Sequence, residues 1–123
     1  MRYLKPYIIK DLKKKMVFIG GPRQSGKTTL AKDILKEFKD GLYLNWDRSI
    51  DQKKILSEDW SREDQLLVFD EIHKYPKWKN LIKGYYDTFK DDHQFIITGS
   101  ARLDLYKRGG DSLLGRYHYW RLH

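Results

Sequence analysis

Eight residues, Gly21-Pro22-Arg23-Gln24-Ser25-Gly26-Lys27-Thr28, restrict this chain more than any others. Two glycines stand five positions apart, and a lysine and a hydroxyl residue follow the second. Ahead of them runs the apolar stretch Met16-Val17-Phe18-Ile19, closed by Gly20. Behind them Leu30, Ile34, Leu35 and Phe38 recur at helical spacing. Strand, glycine loop and helix in immediate succession is the setting in which such a loop cradles phosphate. Glycine opens backbone angles closed to other residues and lets the main chain approach a ligand. Successive amide N–H groups then form a concave anion site, and the following helix aims its positive end at the same point. Lys27 brings an ammonium to the outer phosphates and Thr28 a hydroxyl to Mg²⁺. The spacing assigns residues 21–28, with Thr29 beside them, to nucleotide binding.

A chain of 123 residues has room for one domain with a real core. No apolar run approaches the ~20 residues of a membrane-spanning helix, and the N-terminus lacks a signal-peptide apolar region. Cysteine is absent, so disulfides and thiolate metal sites are excluded and the reducing cytoplasm fits. The net charge of +8 suits polyanions: nucleotides, nucleic acid or an acidic protein surface. His73, His93, His118 and His123 show no metal-ligand spacing and read as structural or exposed.

Residues 1–15 read as an opening helix, with Pro6 in its first turn and Leu4, Ile8 and Leu12 on one face. Lys13, Lys14 and Lys15 close it, as a solvated helix end or as a nucleic-acid contact. The helix after the loop is expected from Lys27 to about Lys39, stopped by Asp40 and Gly41. A second strand is expected over 42–46. Asp47 then either faces the ligand or caps a helix from Ile50 to Leu56.

Leu66-Leu67-Val68-Phe69 runs straight into Asp70 and Glu71. An unbroken apolar run reads as a parallel strand buried on both faces, and ligands bind outside the carboxyl ends of such strands. Asp70 is thereby predicted to hold Mg²⁺ and Glu71 to orient or deprotonate the attacking water. Pro76 is expected to open a helix whose Trp78, Leu81, Ile82, Tyr85, Tyr86 and Phe89 make a wide core-facing stripe. Gln94 to Ser100 reads as another buried strand ending in hydroxyls. Thr98 or Ser100 is expected at the γ-phosphate or the attacking water; a capping hydroxyl for a helix from Ala101 is the other reading. Arg102 follows as a further basic residue, and Gly109-Gly110-Asp111 as a loop. A last strand is expected over Tyr117 to His123. Arg116, just before it, suits an arginine finger supplied in trans, or equally a surface salt bridge.

Five strands separated by helices predict a three-layer α/β sheet, mostly parallel. The strand at 42–46 lies between the loop strand and the acid strand. In the simple nucleotide-kinase arrangement those two are consecutive, so the extra strand and Glu71 favour hydrolysis over phosphate transfer to a small molecule.

The motifs GPRQSGKTTL (21–30), LNWD (44–47), VFDEIHK (68–74), ITGS (97–100) and SLLGR (112–116), with Pro76 and Trp78, resemble a known family. It is that of AAA-like ATPases of the additional-strand, catalytic-glutamate P-loop class, in the prokaryotic branch often followed by a C-terminal nuclease-like domain. The resemblance implies strand order 5-1-4-3-2, MgATP as ligand, and ATP hydrolysis that drives or gates an attached or partner domain. It implies Lys27 and Thr28 on phosphate and metal, Asp70 on metal, Glu71 as base, polar contacts from Thr98 or Ser100, and an arginine at Arg116. It also implies a core cut short at His123, without lid or second domain, and an oligomer for the full-length protein. The alternative that the basic charge keeps open is a nucleotide-gated module that binds nucleic acid or a protein partner without useful catalysis.

Overall fold

The computed structural model describes residues 2–99 and 115–123. Five strands form one sheet: β1 (Met16–Gly20), β2 (Gly41–Asn45), β3 (Leu66–Asp70), β4 (Gln94–Gly99) and β5 (Tyr117–Arg121). They lie in the order β2-β3-β4-β1-β5, and every neighbouring pair is parallel. This is the implied order 5-1-4-3-2 read from the other edge. The helices are α1 (Lys5–Leu12), α2 (Lys27–Leu35), α3 (Ser49–Leu56) and α4 (Trp78–Phe89).

The period of two in each strand sorts the core into two layers. Phe18, Leu67, Phe69, Phe95 and Ile97 meet Ile55 of α3 and Trp78, Ile82 and Tyr85 of α4. Val17, Ile19, Leu66, Val68 and Ile96 meet Ile8 and Leu12 of α1 and Leu30, Ala31 and Ile34 of α2. Strands β1 and β3 are buried along their whole length, which is why both read as unbroken apolar runs. Each fully buried Phe or Ile contributes about 1.5–3 kcal/mol to holding the layers together. Trp60, alone in a polar stretch, closes an aromatic cluster with Phe69, Tyr85 and Phe89.

Several expected boundaries move. Helix α2 stops at Leu35 rather than near Lys39. Beyond it the amides of Glu37 and Phe38 bond back to Ile34 and Leu35, a tighter turn that still carries Phe38 onto the core. Gly41 is not a helix stop but the first residue of β2; a Cβ there would press on the Leu35 side chain and stand 3.1 Å from the Leu66 carbonyl oxygen. Pro76 precedes α4 by two residues, and Lys77 is the N-cap. The opening helix is shorter than 1–15: it ends at Leu12, and the amides of Lys14 and Lys15 fold back on the Asp11 carbonyl. Ser100, Arg102, the helix expected from Ala101, the Gly109–Asp111 loop and Ser112 to Leu114 lie outside the described residues.

Candidate nucleotide site

The loop between β1 and α2 turns on backbone angles that its sequence makes accessible. Gly21 has φ +151° and Gly26 φ +93°; Gln24, at φ +65°, takes the left-handed region without being glycine. Gly26 is the N-cap of α2 and supplies no side-chain cap. The first helical bond runs from the Leu30 amide to the Gly26 carbonyl at 2.9 Å, so the amides of Lys27, Thr28 and Thr29 stand ahead of it at the helix's positive end. The Ser25 hydroxyl oxygen is buried with no hydrogen-bond partner among the described residues. It lies 2.9 Å from where a Cβ on Gly21 would stand. A bare amide cradle with an orphaned hydroxyl fits a bound anion.

Gly21 is also where the loop meets β5: the Leu122 amide donates to the Gly20 carbonyl at 2.8 Å, and a Cβ on Gly21 would meet the Leu122 carbonyl oxygen at 2.7 Å. Gly21→Ala therefore strains the backbone and forces two main-chain segments apart. We expect it to lower unfolding stability by about 1–3 kcal/mol in denaturant titration and to weaken nucleotide binding.

Lys27 is 6% exposed and its ammonium donates to the carbonyls of Gly21 and Pro22, each at 3.0 Å. Across from it Asp70, at the carboxyl end of β3, is 2% exposed. Its Oδ2 accepts from the Thr28 hydroxyl at 2.8 Å and from the Tyr43 phenol, and its Oδ1 accepts from the Thr98 hydroxyl. Strand parity explains the meeting. Tyr43, Asp70 and Thr98 project from β2, β3 and β4 onto the face that carries α2, where Thr28 sits. Burial, then the bond to Asp70, pushes the Tyr43 phenol well above its ordinary range and keeps it a donor. Lys32 of α2 lies 4.5 Å over the Tyr43 ring.

Glu71 follows in the left-handed conformation, φ +62°, which swings it out of the strand. Its amide donates to the Thr98 carbonyl at 3.0 Å. A crevice of about 220 Å³ separates it from the loop, lined on the other side by Arg23, Gln24 and Gly26 to Thr29. The Glu71 carboxylate lies 3.5 Å from His73 Nε2 and 3.7 Å from the Lys74 ammonium, which is also held by Asp47 at 2.7 Å. Burial pushes the His73 imidazole down, so near neutral pH it meets Glu71 uncharged. The bond to Asp47 raises Lys74 and keeps it cationic.

Lys27, Thr28 and Glu71 line one crevice, and Asp70 joins them through its bond to Thr28. Thr98 is placed differently from expectation. It is fully buried and its hydroxyl is committed to Asp70, one step behind the crevice. Asp47 neither faces the crevice nor caps α3, whose N-cap is Arg48; it binds Lys74 instead. Arg116 precedes β5, whose last residue Arg121 lies beside Gly20. It therefore sits at the amino edge of the sheet, roughly 16 Å of strand from its own loop. There its guanidinium holds Asp87 of α4 at 2.8 and 3.3 Å. From the sequence His73 reads only as structural or exposed, and Tyr43 and Lys74 only as members of a strand and of the VFDEIHK motif. Only the two-residue parity that puts Tyr43 on the α2 face, and the adjacency of His73 and Lys74 to Glu71, hinted at them.

Five parallel strands with a phosphate-type loop after β1 and an acid at the end of β3 define a nucleotide-binding, ATPase-like P-loop core. The chain belongs to the AAA domain family, which matches it over residues 13–123. Among curated proteins none matches it. Among solved structures it is similar to a RuvB variant of Thermotoga maritima (TM-score 0.64, 23% identity, covering 98% of this chain and 43% of that one). It is also similar to a Bacteroides Pif1 bound to ssDNA (TM-score 0.57, 16% identity, 96% and 40%). A third is PCH-2 of C. elegans (TM-score 0.53, 16% identity, 98% and 39%). At these identities the likeness speaks for the fold, and the chain spans about two fifths of those proteins' length. No helix among the described residues is long and apolar enough to cross a membrane.

Proposed function

We propose that this chain binds MgATP between the loop at 21–29 and the carboxyl ends of β3 and β4 and hydrolyses it, so that turnover drives or gates an attached or partner domain. The reading is carried by the 2.8 Å bond from Thr28 to Asp70, which joins the loop's hydroxyl to an acid 42 positions away beside the crevice. The amides at the start of α2 and the Lys27 ammonium hold the phosphates. Thr28 and Asp70 hold Mg²⁺, which when bound offsets charge on the outer phosphate oxygens. Glu71 takes the proton of the attacking water. Tyr43 and Thr98 orient Asp70 without touching nucleotide. Arg116, at the far edge of the sheet, serves only the crevice of a neighbouring copy, and only once released from Asp87.

A nucleotide-gated module without useful turnover is the second reading, favoured by the hold of Lys74 and His73 on Glu71. One comparison separates the two. Calorimetric titration of ATP with and without Mg²⁺, followed by phosphate release, is expected to show Mg²⁺-dependent binding and turnover in the parent chain. Glu71→Gln keeps the binding and loses about 100-fold or more in rate, the contribution of a positioned base. Equal phosphate release from parent and variant leaves the gated module standing.

A further inference from the structure

Helix α1 presents a face that the fold does not use. It buries Ile8 and Leu12, and Lys5 is held by Asp33 at 3.3 Å and Glu37 at 2.9 Å. Away from these, Tyr3 in the tight turn ahead of α1, Tyr7 and Lys10 on α1, and Lys14 just past its end follow at offsets of four, three and four. Tyr3 is 73% exposed and Tyr7 61%, more than any other large apolar or aromatic side chain among the described residues. Lys10, Lys13, Lys14 and Lys15 are exposed, and no carboxylate among the described residues pairs with them. Asp11, the acid in their midst, is taken up by His118 and by the Trp120 indole N–H at 2.9 Å. The ridge ends at a hollow of about 230 Å³ walled by Lys14, Lys15, Tyr117, His118 and Asp11, the last with its carboxylate already held by His118 and Trp120.

We propose that this ridge binds single-stranded nucleic acid. Bases stack on Tyr3 and Tyr7, phosphates lie along Lys10, Lys13 and Lys14, and the strand continues into the hollow beside Lys15 and His118. The pattern selects this partner. Unpaired lysines want an anionic chain, and two bare tyrosine rings four residues apart want flat π-faces. A duplex offers the phosphates but keeps its bases stacked inside. A membrane would need the apolar side of α1, which is spent on the core. None of these residues borders the nucleotide crevice, so the proposal stands or falls apart from the ATPase reading.

The test is fluorescence anisotropy of a short labelled oligothymidylate against the whole chain over a salt series, without nucleotide. The doubly reversed variant K10E/K14E is expected to bind far more weakly and to lower the slope of log affinity on log salt by about 1.4, at 0.7 per phosphate contact. Tyr3→Ala with Tyr7→Ala is expected to weaken binding by about tenfold or more while leaving the slope in place. All four side chains are exposed, so both variants keep the parent unfolding midpoint and the parent affinity for ATP. The proposal is overturned if the parent does not bind the oligonucleotide, if neither variant changes its affinity, if duplex binds as tightly as single strand, or if anionic vesicles are bound and the oligonucleotide is not.

Discussion

Lys27→Ala is expected to weaken nucleotide binding by about 30-fold at the least. The side chain is 6% exposed and poised between the Gly21 and Pro22 carbonyls at the mouth of the amide cradle. An ammonium so enclosed gains far more from a phosphate than it would in water, because low local dielectric strengthens the pair. Removing one partner of a buried, hydrogen-bonded charge pair costs about 2–5 kcal/mol, or roughly 30- to 3,000-fold in affinity. Stability should change much less, since the ammonium bonds only to carbonyls of its own loop. The measurement is paired: ATP titration of parent and variant, and denaturant unfolding of both. An alanine variant that binds ATP like the parent would remove the loop from the site.

The frame of that site was legible because two simple patterns carried it. Continuous apolar runs at Met16–Ile19 and Leu66–Phe69 require strands buried on both faces, and these are β1 and β3. A glycine loop directly after one and paired acids directly after the other put both chemistries at the carboxyl edge of a parallel sheet. The distance between Lys27 and Asp70 in sequence says nothing of their meeting; strand order does, and that came from the family resemblance.

What stayed hidden depends on parity and on backbone angle. Thr98 reads as a hydroxyl at a strand end, free to face a ligand. Its position opposite Asp70 in the parallel register of β3 and β4 makes it a donor to that acid instead. Tyr43 looks like an ordinary strand aromatic until β2 is placed beside β3, where its phenol overhangs the same carboxylate. The left-handed angles of Gln24 and Glu71 leave no mark in residue type, yet they flank the crevice on both sides. Arg116 is legible as a residue before a strand, but which edge of the sheet that start occupies is fixed only by pairing with Met16 at the amino end.

Asp70→Ala is expected to change both stability and metal response. The carboxylate is 2% exposed, and three hydroxyls, from Thr28, Tyr43 and Thr98, offset the cost of taking it out of water. Alanine leaves those three donors facing one another around a void. An unsatisfied buried donor costs about 1–3 kcal/mol, partly recovered where a hydroxyl can rotate toward another acceptor. Relief of the buried charge works the other way. The balance predicts a net loss of about 2–4 kcal/mol, read as a lower denaturant midpoint at unchanged slope. Asp70→Asn, which keeps the shape and one acceptor oxygen, should lose less. Both variants should bind ATP equally with and without Mg²⁺, because the loop and Lys27 remain while the acid proposed to hold the metal is gone. A variant that keeps the Mg²⁺ enhancement would move the metal away from Asp70. A variant more stable than the parent would mean that three hydroxyls do not offset the burial of that charge.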